Sequence, residues 1–331
     1  MKTIPLITTT LYQLIASYFE DRKSPPGQLI DVGGYRLHYY VGKISSSTTP
    51  TKTPTVTPTI VLEHSLGGIE GYLLAPEIAK IAPVFIYDRA GYGWSDHSPH
   101  RRTSEQIVSE LNILLTKAGI EPPYILVGDS FGSYNVRLFA HQFPEKVVGM
   151  VLVDGLHEVG MSSMAFSLRA LQLLFTSGFV MSTLGSILGI IRLLKTLGMF
   201  ELIKPQLRKF PTKDLDYIKR SFCRPKHWVT MAREIINLDN SARQISCANN
   251  FGDLPLVSIK ANSFFKPSLW TYFIPLKSAN KLRDKMHLEL LKISNNSTQL
   301  QASNSGHFVW VDEPEVIVTA IKMVLEKTNI Y

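Results

Sequence analysis

Apolar and polar residues alternate from Gly27 to Lys43 around a central Gly33-Gly34 pair, a pattern that predicts a β-hairpin. Farther along, alternation gives way to short unbroken apolar runs at 59–64 (TIVLEH), 83–88 (PVFIYD), 124–128 (YILVG), 148–154 (VGMVLVD) and 255–260 (PLVSIK). Runs of that length are expected to be strands covered on both faces. Segments of helical period lie between most of them, for example Ser104 to Ala118 and Tyr134 to Phe143. A helix from Ser278 to Ile293, a short strand at 298–303 and a last helix from Pro314 to Lys327 close the pattern. Strands alternating with helices predict an α/β fold with a mostly parallel sheet between two helical layers. The alternation stops after Asp154, and no strand signal follows until 255–260. The expected organisation is a core made of 26–155 and 254–331, interrupted by a helical cap over 156–253.

Two segments are apolar in a different way. Lys2 precedes an uncharged run from Thr3 to Phe19 that faintly resembles a secretion signal. Its Thr, Tyr and Gln residues dilute the apolar centre, so residues 1–25 are read as a helix lying on the domain or on a membrane. Between Arg169 and Arg192, the run from Ala170 to Ile191 carries no charge. It is long enough to cross a bilayer, but a crossing would put the two halves of the core on opposite sides. Gly178, Gly185 and Gly189 are expected to divide it into two lid helices with apolar inner faces, the alternative being a lid that dips into a membrane. The Ser/Thr/Pro-rich stretch 44–58 is expected to be a surface loop.

Composition narrows the choices. The chain has 331 residues, 45% hydrophobic and 19% charged, which supports a large core and excludes global disorder. Net charge is +8. Lys204, Arg208, Lys209, Lys213, Lys219, Arg220, Arg224 and Lys226 follow the apolar lid. Such a cluster suits an anionic interface or a solvated helix face. No nucleic-acid-binding motif accompanies it, so nucleic acid is not an expected partner. Cys223 and Cys247 form neither a metal pattern nor a disulfide framework, and whether they pair is open. No metal or cofactor is implied.

The segment GDSFG (128–132) sits between the apolar run YILV and a helical pattern. Gly-x-Ser-x-Gly alone occurs by chance in about one in ten chains of this length. The strand-to-helix context is what gives it meaning: a sharp turn there lifts the Ser130 hydroxyl beyond the sheet edge, where it can act as a nucleophile. An aspartyl nucleophile at Asp129 would need glycines at 127 and 131, which are Val127 and Phe131. The base is expected late in the chain, and the Ser-Gly-His turn after strand 298–303 offers His307, with Pro314 opening the next helix. The N–H of Phe131, next to the serine, and that of Leu66, in the EHSLGG loop (63–68), are the candidate oxyanion donors.

YDRAGYGWSD (87–96), VGDSFGSYNVRLFAHQFPEKVVGMVLVDGLHE (127–158) and SGHFVWVDEPEVI (305–317) together resemble the α/β-hydrolase fold superfamily, within its serine esterase and lipase-like branch. The resemblance covers about 26–155 and 255–328. Asp129 stands where that family commonly has His, and Ser65 where it commonly has Gly. YDRAGYGWSD reads as structural, with Asp88 and Asp96 capping and pairing rather than reacting.

The resemblance implies an acid to orient His307, usually just after the strand 255–260. The residues there are ANSFFKPS, with no carboxylate. Asp253 lies at the strand's wrong end, and Asp284 and Glu289 belong to a later helix. Some members of the fold carry the acid after the preceding strand, which points to Asp154; Asn262 is the substitute, and helix capping by Asp154 the bland alternative. The function so implied is hydrolysis of a carboxylic ester, thioester or amide of a lipophilic small molecule through Ser130, His307 and Asp154, with Phe131 and Leu66 holding the oxyanion. The rival is a non-hydrolytic binding or scaffolding protein on the same fold. The expected location is cytoplasmic, with peripheral membrane contact through the cap or residues 1–25.

Overall fold

The structure, a computed structural model, describes residues 4–43, 57–264 and 275–328. Most of the Ser/Thr/Pro-rich stretch 44–58 lies outside them. The strands are β1 (Gln28–Asp31), β2 (Arg36–Gly42), β3 (Thr59–Glu63), β4 (Val84–Tyr87), β5 (Tyr124–Asp129), β6 (Val147–Val153), β7 (Leu256–Ala261) and β8 (Ser297–Ala302). They form one sheet in the order β1-β2-β4-β3-β5-β6-β7-β8. β1 and β2 are the antiparallel hairpin, and β2 is antiparallel to β4. From β4 onward all pairs are parallel. Gly33 and Gly34, at φ 128° and 93°, make the hairpin turn, and their N–H groups donate to the Asp31 carboxylate at 2.9 and 3.1 Å.

The unbroken apolar runs are buried on both faces, for a physical reason visible in the register. Val61, Phe85, Leu126, Met150 and Leu152 point to one side, against α3 (Ser104–Lys117) and α4 (Gly132–Gln142). Their neighbours Ile60, Leu62, Ile86, Ile125 and Val151 point to the other, against α2 (Gly71–Ile78) and α14 (Pro314–Lys327). Alternate residues serve opposite layers, so neither face can be polar.

Between β6 and β7 the chain is helical: α5 (Val159–Ser162), α6 (Phe166–Ile187), α7 (Ile190–Thr196), α8 (Met199–Ile203), α9 (Thr212–Phe222), α10 (Pro225–Ile236) and α11 (Leu238–Ile245). α13 (Val309–Asp312) and α12 (Leu276–Leu290) lie in the last third. α11 does not sit in the lid; Ala242 and Ile245 complete the core layer beside α3 and α4. The expected division of 170–191 at Gly178 and Gly185 does not occur. Both lie inside α6, where each costs about 1 kcal/mol relative to alanine, which packing along α10 offsets. Gly189 does end the helix, at φ 77°. A Cβ there would also lie 2.1 Å from the Thr9 carbonyl oxygen. Cys223 is buried, Cys247 is exposed, and both are free thiols.

The helix α1 (Ile4–Asp21) docks on the cap rather than on the sheet. Arg192, in α7, is the anchor. Its Nε donates to Gln13 Oε1 at 2.6 Å, and its Nη1 and Nη2 donate to the Glu20 carboxylate at 2.5 and 2.9 Å. Gln13 Nε2 in turn donates to the Cys223 carbonyl at 2.8 Å. Replacing Arg192 by Leu removes the donor to Gln13 Oε1 and leaves Glu20 with Arg224 alone, at 2.9 Å. Arg192→Leu is expected to destabilise the protein by about 1–3 kcal/mol in denaturant unfolding, with α1 the first segment to gain amide exchange.

Candidate active site

Ser130 stands at the C-terminal end of β5 with φ 50°, a left-handed conformation that a side chain adopts only when its surroundings enforce it. The enforcement is local. The Ser130 N–H donates to the Val153 carbonyl at 2.9 Å, and α4 begins two residues later. The flanking glycines have separate reasons. A Cβ on Gly132 would lie 2.4 Å from the Glu63 carbonyl oxygen at the end of β3. One on Gly128 would lie 2.6 Å from Val136 Cγ2 in α4. Strand, turn and helix close up only because both positions lack a side chain.

Asp154 repeats the device on the adjacent strand. It follows β6 with φ 40°, and its N–H donates to Ile259 O at 2.8 Å. His307 arrives on the loop after β8, which is tied to the loop after β7: its N–H donates to Phe264 O at 3.2 Å, and Asn262 N–H donates to Ser305 O at 3.0 Å. These three strand ends put the side chains in one line. His307 Nε2 lies 2.8 Å from Ser130 Oγ, and His307 Nδ1 lies 2.6 Å from Asp154 Oδ2. Asn262 is exposed, and it is Asp154 that meets the imidazole nitrogen. Asp284 pairs with Lys260, Glu289 with Lys292, and Asp253 accepts from Asn295, all away from His307.

Sequence reasoning missed what holds Asp154. His287 Nε2 lies 3.0 Å from Asp154 Oδ1, Arg283 Nη1 lies 3.5 Å from Oδ2, and the Ala261 N–H donates to Oδ1 at 3.1 Å. His287 and Arg283 are four residues apart on α12 and share its inward face. That spacing was readable, but nothing local tells an inward His–Arg pair from a solvated one. Burial alone would raise the Asp154 carboxyl. The hydrogen bonds from His287 and His307, with the nearby Arg283 charge, override it and hold the group far below the usual carboxylate range.

The loop after β3 runs beside the Ser130 turn, because Glu63 pairs with Gly128 and the ends of both strands abut Gly132. It is clasped from behind. Arg89 Nη1 donates to His64 O and Nη2 to Ser65 O, each at 2.7 Å, and Ser65 N–H donates to Glu70 Oε1 at 2.7 Å. In a trans peptide the C=O and the following N–H point opposite ways. Holding the Ser65 carbonyl on Arg89 therefore turns the Leu66 N–H away from Arg89. Neither the Leu66 nor the Phe131 N–H meets a backbone acceptor among the described residues. Ser65, unusual for the family resemblance, is accommodated with both its peptide groups bonded. Asp88 and Asp96 of YDRAGYGWSD are occupied by His38, Trp94 N–H and Arg36.

Asp129 is turned the other way, under the Ser130 turn. A cavity of about 10 Å³ there, lined by His64, Glu70, Asp129 and Trp310, has the room of a single water. Burial, with the adjacent Glu70 carboxylate, pushes the Asp129 carboxyl well above its ordinary value. Among the described residues, no group of three or more His, Cys, Asp or Glu side chains is placed to hold a metal ion.

A mostly parallel eight-stranded sheet, a serine on a strained strand-to-helix turn and an inserted helical segment after β6 define a class. The fold is that of the α/β-hydrolases, and the family model for the alpha/beta hydrolase fold matches residues 58–180. Among its relatives is a probable transporter, efuK, of Hormonema carpetanum, 27% identical over 95% of this chain and 44% of the relative, so the chain spans less than half of that protein's length. Similar solved structures include an epoxide hydrolase, CorEH, with TM-score 0.65, 15% identity and coverage of 91% of this chain and 98% of that one. Another is an enol-lactonase from Burkholderia xenovorans LB400, with TM-score 0.58, 14% identity and coverage of 90% and 100%. At such identities these structures share the fold.

The raised Asp129 carboxyl has a stability consequence with a definite sign. Between the unfolded value, about 4, and the higher folded one, the folded state carries a proton that the unfolded chain has lost, so stability falls as pH rises through that window. Asp129→Asn removes the titration. It is expected to raise the melting temperature relative to the parent at about pH 7, with the gain shrinking toward about pH 4. An equal effect at both pH values would mean that Asp129 is ionised.

Proposed function

We propose that this protein is a serine hydrolase that cleaves a carboxylic ester of a lipophilic small molecule, with thioesters and amides as less favoured substrates. One observation carries the reading: the unbroken hydrogen-bonded line from Ser130 Oγ through the His307 ring to the buried Asp154 carboxylate. Ser130 Oγ attacks the carbonyl carbon while His307 Nε2 takes its proton. The negative oxygen that forms is received by the N–H groups of Phe131 and Leu66, the latter aimed by the Arg89 clasp. The bond to the leaving oxygen then breaks, and His307 returns the proton to it. Water, deprotonated by the same nitrogen, releases the acid and restores Ser130. Asp154 accepts the Nδ1–H bond and so keeps the free lone pair on Nε2, and its charge stabilises the imidazolium.

A lipophilic acyl group is supported by the surroundings of the imidazole. Phe264 stacks on the His307 ring at 5.0 Å and Phe308 meets its edge at 5.8 Å. Leu66 lies in the proposed oxyanion loop, and a Cβ on the next residue, Gly67, would lie 2.5 Å from Met231 Sδ of the cap. Part of this reading is a cytoplasmic location in contact with a membrane, and the name of the transporter relative agrees with membrane contact. No step calls for a metal or a cofactor.

Ser130→Ala is expected to abolish both ester hydrolysis and labelling by a fluorophosphonate probe while melting like the parent, because the turn accepts a smaller side chain. A parent protein that neither labels nor hydrolyses would instead support the binding-protein alternative. Asp154→Asn is expected to lower turnover by about 10³–10⁴, through the wrong tautomer and the lost charge. Asp284→Asn should leave turnover within about twofold, since its partner is Lys260. Among p-nitrophenyl esters, kcat/KM should rise from acetate to medium chains; a preference for acetate would count against the lipophilic substrate.

A further inference from the structure

Helix α1 is folded inside out. Its contact side is polar: Gln13, Ser17 and Glu20 face the cap and bond to Arg192, with Gln13 only 4% exposed. Its apolar stripe, Ile7, Leu11, Leu14, Ile15 and Tyr18, follows helical spacing and faces outward, with Leu14 62% exposed. A helix on a water-soluble surface is arranged the opposite way. α6 continues the same face. Its inner side packs on α10, and Arg169 and Gln172 bond to Asp239 and the Ile235 carbonyl. Its outer side shows Phe166, Leu173, Val180, Met181 and Leu184, with Leu173 68% exposed. Thr10 Oγ1 donates to Leu188 O at 3.4 Å, joining the two helices, and Leu197, Leu202 and Ile203 of the α7–α8 region extend the exposed surface.

The charges around this face are predominantly basic, Asp214 beside Lys213 being an exception. Arg22 and Lys23 follow α1, and Arg208, Lys209 and Lys213 follow α8; all five are exposed. Four of the acids nearby are paired within the protein: Glu20 by Arg192 and Arg224, Asp21 by Arg220 and Arg224, Glu201 by Lys219, Asp216 by Lys195. An apolar face with a basic rim has two candidate occupants, and the rim decides between them. A second copy would bring like charges together across a two-fold interface, whereas an anionic bilayer supplies both the apolar depth and the opposite charge. α6 is long and apolar enough to cross a bilayer. Crossing would strip its polar inner side from α10 and break the bonds of Arg169 and Gln172, so the helix lies in the plane of the surface.

We propose that the outer faces of α1 and α6 form one docking surface that seats this protein peripherally on an anionic lipid membrane, with Arg22, Lys23, Arg208, Lys209 and Lys213 at the headgroup level. This deepens the membrane part of the proposed function and does not depend on the chemistry at Ser130. The test is therefore flotation of the full chain carrying Ser130→Ala, using phosphatidylcholine vesicles with and without about 30% phosphatidylserine. The protein should float with the anionic vesicles, remain mostly unbound with neutral ones and be released by high salt. Leu14→Glu with Leu173→Glu should lower the apparent affinity at least about tenfold with an unchanged circular dichroism spectrum, since both side chains are exposed. Absence of flotation, equal binding to neutral vesicles, or a dimer in size exclusion that the two substitutions render monomeric would each overturn the proposal. So would protein that stays with the bilayer after alkaline carbonate, which marks a spanning helix. Ester hydrolysis by the parent chain, measured without lipid, reports on the catalytic reading separately.

Discussion

A single buried guanidinium ties the parts of this molecule together. Arg89 follows β4 with no exposure, and all five of its N–H groups are used: on Glu63 at the end of β3, on the carbonyls of His64 and Ser65, and twice on Glu234 of α10. Glu63 is also bonded by Asn135 of α4 and by Tyr87. The guanidinium lies 5.6 Å from the Phe131 ring, beside the Ser130 turn. Such a charge is tolerable in a dry interior only when every donor is met. Sheet edge, the loop after β3, α4 and α10 must therefore assume one arrangement together, and loss of a carboxylate partner leaves buried charge less well compensated.

The same sheet edge concentrates backbone strain. Ser130 and Asp154 are the described non-glycine residues with positive φ, and they end adjacent parallel strands. Each conformation is disfavoured by itself and persists because the strand before it and the packing after it are fixed. With Asp154 at the end of β6, its side-chain partners besides His307 come from α12, and the Ala261 N–H at the end of β7 adds a third contact. His287 and Arg283 help keep a nearly fully buried carboxylate charged.

The cap meets two environments. α10 belongs to the core through Glu234, Met231 and Thr230, which close on Arg89, Gly67 and Gly91. α6 lies outside α10 and turns its apolar residues outward, beside the inverted α1. Apolar composition alone therefore does not assign a helix to the interior; the polar residues of α1 and the bonded side of α6 mark which side faces protein.

Much of this was legible in the chain itself. The unbroken apolar runs gave the parallel strands to within a residue or two, because a strand covered on both faces admits few polar residues. GDSFG gave the turn, because steric closure demands those glycines. The break after Asp154 gave the insertion. Other features were not local. Gly178 and Gly185 carry a helix-breaking signal that packing on α10 overrides. Cys223 and Cys247 have no pairing information in their spacing. The roles of His287, Arg283, Arg89 and Glu234 arise from residues far apart in sequence converging on one point. Periodicity and turn chemistry act over a few residues and are written in order along the chain. The compensation of buried charge, and the choice of which helix face meets protein, exist only once distant segments are packed, and only the tertiary structure decided them.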